Sequence, residues 1–174
     1  MADGGGRRIL YVVVCAAPAA ADVEVFVRLA QSAGWRVFVI SSPLGRRFVD
    51  VHSLASLTGE AVRSEFRMPG ESKGMPSADA VVAPATFNTV NKWATGITDT
   101  FAVGLLCELM GFGVPILAVP QLKDALARHV AFERNLEVLR SMGVRVLFDP
   151  AAPPHARMPR WEPILEELHS ILDG

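Results

Sequence analysis

Five short apolar runs punctuate the chain: "RILYVVVC" at 8–15, "WRVFVISS" at 35–42, "DAVVAP" at 79–84, "VPILAVP" at 114–120 and "VRVLFDP" at 144–150. They are apolar nearly throughout and do not alternate, which predicts strands buried on both faces. Between them the period lengthens. Val23, Phe26, Val27 and Ala30 fall at helical spacing in "APAAADVEVFVRLAQSAG", and Gly34 closes that helix. "PLGRRFVDVHSLASLTG" places Phe48, Val51, Leu54 and Leu57 on one helical face and stops at Gly59. Residues 88–111 read as two consecutive helices, because Gly96 interrupts them and Thr98, Asp99 and Thr100 supply N-cap oxygens for a restart. Residues 123–143 read as one helix ending at Gly143, and a terminal helix spans roughly Trp161 to Leu172. The stretch from Glu65 to Ser77 has no period and reads as a loop.

Strands alternating with helices, each strand apolar along its length, call for an α/β doubly wound parallel sheet with helices on both faces. At 174 residues this is one domain, 1–174, with a flexible leader at 1–7 and a Pro-rich loop at 149–160 before the last helix. Ligands of such sheets bind beyond the carboxyl ends of the strands. The relevant segments are therefore Cys15–Ala20, Ser41–Gly45, Pro84–Thr89, Pro120–Asp124 and Asp149–Pro154.

Composition narrows the partners. Half of the residues are hydrophobic (51%) and the formal charge is −1, so nothing draws the chain to nucleic acid or anionic membranes. No run reaches the length of a membrane span, and no signal-peptide pattern opens the chain, which together imply a cytoplasmic protein. Cys15 and Cys107 lack metal-ligand or CxxC spacing and read as buried free thiols, so no metal is expected.

The first strand end, "CAAPAAAD", has no glycine and fits neither GxGxxG nor a P-loop. Its small residues Ala16 and Ala17 before Pro18 suit either close helix packing or a phosphate cradle. Ser41 and Ser42 could bond a phosphate or cap the next helix. At the third end, Thr86, Asn88 and Thr89 bunch donors and acceptors behind Pro84 and Ala85, which suits a planar heterocycle; helix capping by Thr86 or Asn88 is the alternative.

The stretch "ADAVVAPATFNTVNKWATGITDT" (78–100) resembles the FMN-containing cysteine decarboxylase family, which includes phosphopantothenoylcysteine decarboxylases and lantibiotic peptidyl-cysteine decarboxylases. Its PASANT motif is similar to Pro84, Ala85, Thr86, Phe87, Asn88 and Thr89, and its KxAxGxAD segment to the residues that follow. "FVDVHSLASLTGEAV" and "FERNLEVLRSMGVRVL" occur in the family's order, so the resemblance covers most of the chain. It implies a Rossmann-like flavoprotein that assembles as trimers or dodecamers, with FMN between subunits. Thr86, Asn88 and Thr89 would lie against the isoalloxazine, Ser41, Ser42 and the Ala16–Ala19 turn near the phosphate, and Asp99 in the segment closing the site. The substrate would be a small molecule or peptide carrying a cysteine end group.

Two departures stand out. The family's histidine before the third strand has no counterpart in "EFRMPGESKGMPS", and its PxMNxxMW clamp reads Pro120, Gln121, Leu122, Lys123, Asp124, Ala125, Leu126, Ala127. Asn to Lys exchanges an amide that donates and accepts for a cation that only donates. Lys123 and His129 become the substitute catalytic candidates, whereas His52 lies on the helix after strand 2. The alternatives are an FMN enzyme with another substrate or a non-catalytic FMN-binding subunit. Flavin prenyltransferases share the broad fold, but their Gly/Ser-rich first loop and arginine-rich segment are missing.

Overall fold

The computed structural model describes residues 6–71, 74–153 and 157–174. Most of the expected leader (residues 1–5), and residues 72–73 and 154–156 of the two expected loops, lie outside that set. The element order is β1 (Ile9–Val14), α1 (Val23–Ser32), β2 (Arg36–Ser41), α2 (Val51–Thr58), β3 (Ala80–Ala85), α3 (Phe87–Thr95), α4 (Phe101–Gly111), β4 (Ile116–Pro120), α5 (Asp124–Ala127), α6 (Val130–Ser141), β5 (Arg145–Val146) and α7 (Trp161–Asp173). All pairings are parallel, and the sheet order is β2-β1-β3-β4-β5. This is the doubly wound α/β architecture expected, with its order reversing between β1 and β3.

Alternation along each strand splits the core into two layers. Ile9, Tyr11 and Val13 of β1, with Val81, Ala83 and Ala85 of β3, pack against Val90 and Trp93 of α3, Leu106 of α4 and Phe132 of α6. Leu10, Val12 and Val14, with Ala80 and Val82, pack against Phe26 of α1, Leu54 of α2 and Ile164 and Leu168 of α7. Continuous apolar runs are what such a sheet requires, because both faces of every central strand are covered.

Pro84 sits inside β3, a central strand, where a missing N–H would ordinarily break a ladder. Val81 N–H donates to Pro115 O and Ala85 O accepts from Gln121 N–H, so the odd-numbered residues of β3 bond to β4. The even-numbered ones face β1, and that ladder ends at Val12↔Val82. Pro84 therefore falls one step beyond the last β1 pair, and its missing N–H ends the ladder at that point. The two strands part there.

Several elements differ from the sequence expectation. The first helix is preceded by a 3-10 turn at Pro18–Asp22. Phe48 is not on the face of α2: it ends a 3-10 turn at Gly45–Arg47, is 44% exposed, and α2 starts after Asp50, whose carboxylate accepts from Ser53 N–H. The single helix expected over 123–143 is broken at Arg128–His129, where His129 Nδ1 accepts from Ala131 N–H at 3.1 Å and caps α6 anew. β5 keeps only Arg145–Val146, because after Leu147 N–H bonds Ala118 O the chain leaves the sheet edge and Phe148 packs on Phe132. Gly96 ends α3 at φ 73°, and Thr100 caps α4, as the restart requires.

Tyr11 lies in the sheet centre and donates its hydroxyl to Pro76 O. Burial pushes its phenol from 10.0 up to about 12, against a smaller opposing pull from Arg63. The unfolded chain releases this proton near its ordinary value, so the stability it confers is whole below pH 10 and lost as pH rises towards 12. Tyr11→Phe should cost about 1 kcal/mol at neutral pH through the lost hydrogen bond. Denaturant titrations of both proteins at rising alkaline pH should then show that difference shrinking; a constant difference would contradict the assignment.

Candidate functional site

Where β1 and β3 part, a cleft of about 810 Å³ opens at the carboxyl ends of the strands. Its size falls within the roughly 300–1,000 Å³ of small-molecule sites. One wall is the turn after β1, from Cys15 to Pro18, and another is Ser42–Leu44 after β2. The first turn of α3 supplies Thr86 to Thr89, α4 contributes Ala102 and Val103, and the segment after β4 adds Gln121, Leu122 and Lys123.

Thr86 is the N-cap of α3: its hydroxyl accepts from Thr89 N–H at 3.3 Å. That leaves the first-turn amides of Phe87 and Asn88 without acceptors inside the helix. The Asn88 carboxamide sits in the same turn, facing the cleft. The Thr89 hydroxyl is 3.1 Å from Thr86 Oγ1 and donates to Cys15 Sγ at 3.2 Å, which joins the ends of β1 and β3 beneath the cleft. Burial pushes the Cys15 thiol up, against donors from the Thr89 side chain and the Thr86 backbone, so it stays neutral.

The β2 edge is held as tightly. Ser42 N–H donates to Val14 O at 2.8 Å, and Ser42 Oγ accepts from Gly45 N–H at 3.0 Å. Ser41 is fully buried, with its hydroxyl given to Ser42 O, and lies outside the cleft lining. Gly45 packs against this turn so closely that a Cβ would stand 2.7 Å from Val14 O and 2.9 Å from Ser42 Oγ.

Of the residues singled out from the sequence, Ala16, Ala17, Ser42, Thr86, Asn88, Thr89 and Lys123 line one cleft. Pro84 and Ala85 are buried behind them in β3. Asp99 lies off the lining and pairs with Lys92, which is on it. His129 is also off the lining: it caps α6 and meets the Phe87 ring edge-on at 5.7 Å, so Phe87 stands between it and the cleft. His52 is exposed on α2. Among the described residues, no group of three or more His, Cys, Asp or Glu could hold a metal, and no helix is long and apolar enough to cross a membrane.

Sequence reading placed Cys15, Gly45 and Gln121 within the strand-end segments but gave none of them a role in the site. Gln121 carries no motif signal of its own, since it fills the variable position after Pro120. Its Oε1 accepts from Ala19 N–H at 2.9 Å, across 102 residues of sequence. The wall that carries Lys123 is braced from outside: Asp124 pairs with Arg157, whose Nε donates to Ala152 O at 2.9 Å and whose guanidinium lies 5.9 Å from the Phe148 ring.

A doubly wound domain with a cleft at its switch point is an architecture for binding nucleotide-like cofactors. The protein-family model Flavoprotein matches residues 5–172, and the chain belongs to that family. A cysteine/cysteine sulfinic acid decarboxylase from an unknown prokaryotic organism is 29% identical over 102 residues, 55% of this chain and 28% of that protein. The coenzyme A biosynthesis bifunctional protein CoaBC of Thermococcus kodakarensis is 27% identical over 146 residues, 78% of this chain and 36% of that protein. The chain thus spans about a third of the length of the curated relatives it matches. Among solved structures, the FMN-dependent cysteine decarboxylase SpaF superposes with a TM-score of 0.74 at 23% identity, covering 95% of this chain and 97% of the other, which establishes the shared fold.

Gly45→Ala should cost about 1–3 kcal/mol, because the atoms that Cβ meets belong to the backbone and a tight turn. At about 2–4 °C per kcal/mol for a chain of this size, a thermal melt would register it. An unchanged midpoint would mean the turn is looser than its hydrogen bonds imply.

Proposed function

We propose that the cleft binds FMN and that the chain oxidatively decarboxylates a cysteine end group, peptidyl or phosphopantothenoyl. The carrying observation is the first turn of α3 at the β1/β3 parting, where open amides and the Asn88 carboxamide face a cleft of about 810 Å³. This donor set fits a planar ring with carbonyl and ring-nitrogen acceptors, and the small side chains of Ala16 and Ala17 leave room for a phosphate beside Ser42. The relatives reinforce the reading, since one is by name a cysteine decarboxylase and the structural neighbour SpaF is an FMN-dependent one.

In this reading Asn88, Thr86 and Thr89 orient the isoalloxazine, Ser42 and the Ala16–Ala17 turn receive the phosphate, and buried Ser41, Pro84 and Ala85 hold those groups in place. Asp99 acts through Lys92, which it tethers at the rim. When bound, FMN supplies an acceptor for two electrons, so that the thiol-bearing end group can be oxidised and lose carbon dioxide. Lys123, without a salt-bridge partner among the described residues, presents a cation to the substrate carboxylate. His129 uses Nδ1 to cap α6, which leaves Nε2 for any proton transfer past Phe87. The substrate is a small molecule or peptide end, and the working form is a homo-oligomer, trimer or dodecamer, in which a neighbouring copy covers the exposed Leu44 and Leu126 at the cleft mouth.

One observation favours a second reading, an FMN-dependent enzyme with a different substrate. The wall formed by Leu122, Lys123 and Leu126 has aliphatic groups and a cation where the cysteine decarboxylase motif carries methionines and an amide.

Purified protein should be yellow, and its extracted chromophore should run as FMN; colourless protein that takes up no FMN would end both readings. Asn88→Ala should weaken FMN retention about tenfold, as expected for one lost hydrogen bond of about 1–1.5 kcal/mol. Anaerobic addition of a cysteine-ended peptide or phosphopantothenoylcysteine should bleach the flavin and release carbon dioxide. Bleaching by neither, in FMN-loaded protein, would transfer the case to the second reading.

A further inference from the structure

Gln121 leaves the end of β4 with its backbone N–H on Ala85 O at 2.8 Å and its side chain on the far side of the cleft, where Oε1 meets Ala19 N–H at 2.9 Å. An amide N–H donates, so the atom facing it must be the carbonyl oxygen of the carboxamide. That single bond orients the whole planar group: with Oε1 turned to Ala19, the two N–H bonds of Nε2 point elsewhere. No described residue accepts from Nε2, and Gln121 lines the cleft.

Several other polar side chains at the cleft are already engaged. The Thr89 hydroxyl is given to Cys15, Lys92 is tied to Asp99, and Ser42 Oγ accepts from Gly45. Gln121 differs in having one end held rigidly by the protein and the other end open. A donor whose orientation is set before the ligand arrives loses little entropy on binding.

We propose that Gln121 is a ligand-reading residue, donating from Nε2 to a carbonyl or carboxylate oxygen of the molecule in the cleft while Oε1 holds the turn after β1. The inference rests on the cleft being an FMN site. The acceptor belongs either to the flavin ring or to the carboxylate of a substrate lying on it, and both present the same chemistry to an amide donor.

Gln121→Glu separates this role from a structural one. A glutamate is the same length and still accepts from Ala19 N–H, but it has no donor and brings a negative charge. Gln121→Leu loses both functions. Thermal melts without ligand should place the glutamate variant close to wild type and the leucine variant below it. Fluorescence titration with FMN, followed by titration of FMN-loaded protein with a cysteine-ended peptide, then reads the donor. Gln121→Glu should weaken one of the two by about tenfold or more: FMN if the acceptor is on the ring, the peptide if it is the carboxylate. Wild-type affinity for both ligands in that variant would overturn the proposal while leaving the FMN reading intact. A binding loss accompanied by an equal fall in melting temperature would also overturn it, by reducing Gln121 to a brace. Wild-type protein that binds no FMN would defeat the underlying reading, and this inference with it.

Discussion

The parting of β1 from β3 governs this molecule. Their ladder ends at Val12↔Val82, and the next inward position of β3 on that side is Pro84, which has no N–H to offer. Beyond it the two strands lead to opposite faces of the sheet, β1 towards α1 and β3 towards α3. The space between is bounded by side chains and turns, not by backbone pairing, and it opens as the cleft.

Because the backbone ladder stops there, a small set of long-range bonds sets the shape of the opening. Thr89 reaches Cys15, Gln121 reaches Ala19, and Ser42 returns to Val14. Each joins the end of one strand to the end of another, and together they tie β1 to its neighbours on both sides and to β4. The wall after β4 is held from further away, by Arg157 on Asp124 and by the edge-on and tilted ring contacts that join Phe148, Phe132 and Phe87 behind it. The floor is therefore rigid, whereas the face carrying Lys123 is set by contacts from the C-terminal part of the chain.

Much of the fold was legible in the sequence, because each central strand is covered on both faces and must be apolar at nearly every position. Where local signals failed, tertiary contacts had overruled them. The run 123–143 has helical periodicity throughout, yet it breaks at His129, whose ring and Nδ1 are drawn to Phe87 and to a new cap. Phe48 has the right spacing for α2, but the Asp50 cap and the tight turn at Gly45 start the helix after it. "VRVLFDP" looks like the other strands, though only Arg145–Val146 pair, since an edge strand has one neighbour and Phe148 gains more from Phe132 than from extension.

The candidate site divides in the same way. Thr86, Asn88 and Thr89 were readable because capping chemistry and a strand-to-helix junction are local, and so were the small residues Ala16 and Ala17. Gln121, Cys15 and Gly45 were not, because their roles depend on atoms distant in sequence: Ala19 N–H, the Thr89 hydroxyl and Val14 O. The sequence by itself determined the layers, the strand ends and the polar turn after Pro84, all of which follow from hydrophobic period and local hydrogen bonding. The tertiary structure alone decided the order of the strands, and with it which ends meet, because pairing between β1 and β3 is a contact across about seventy residues that no local pattern encodes.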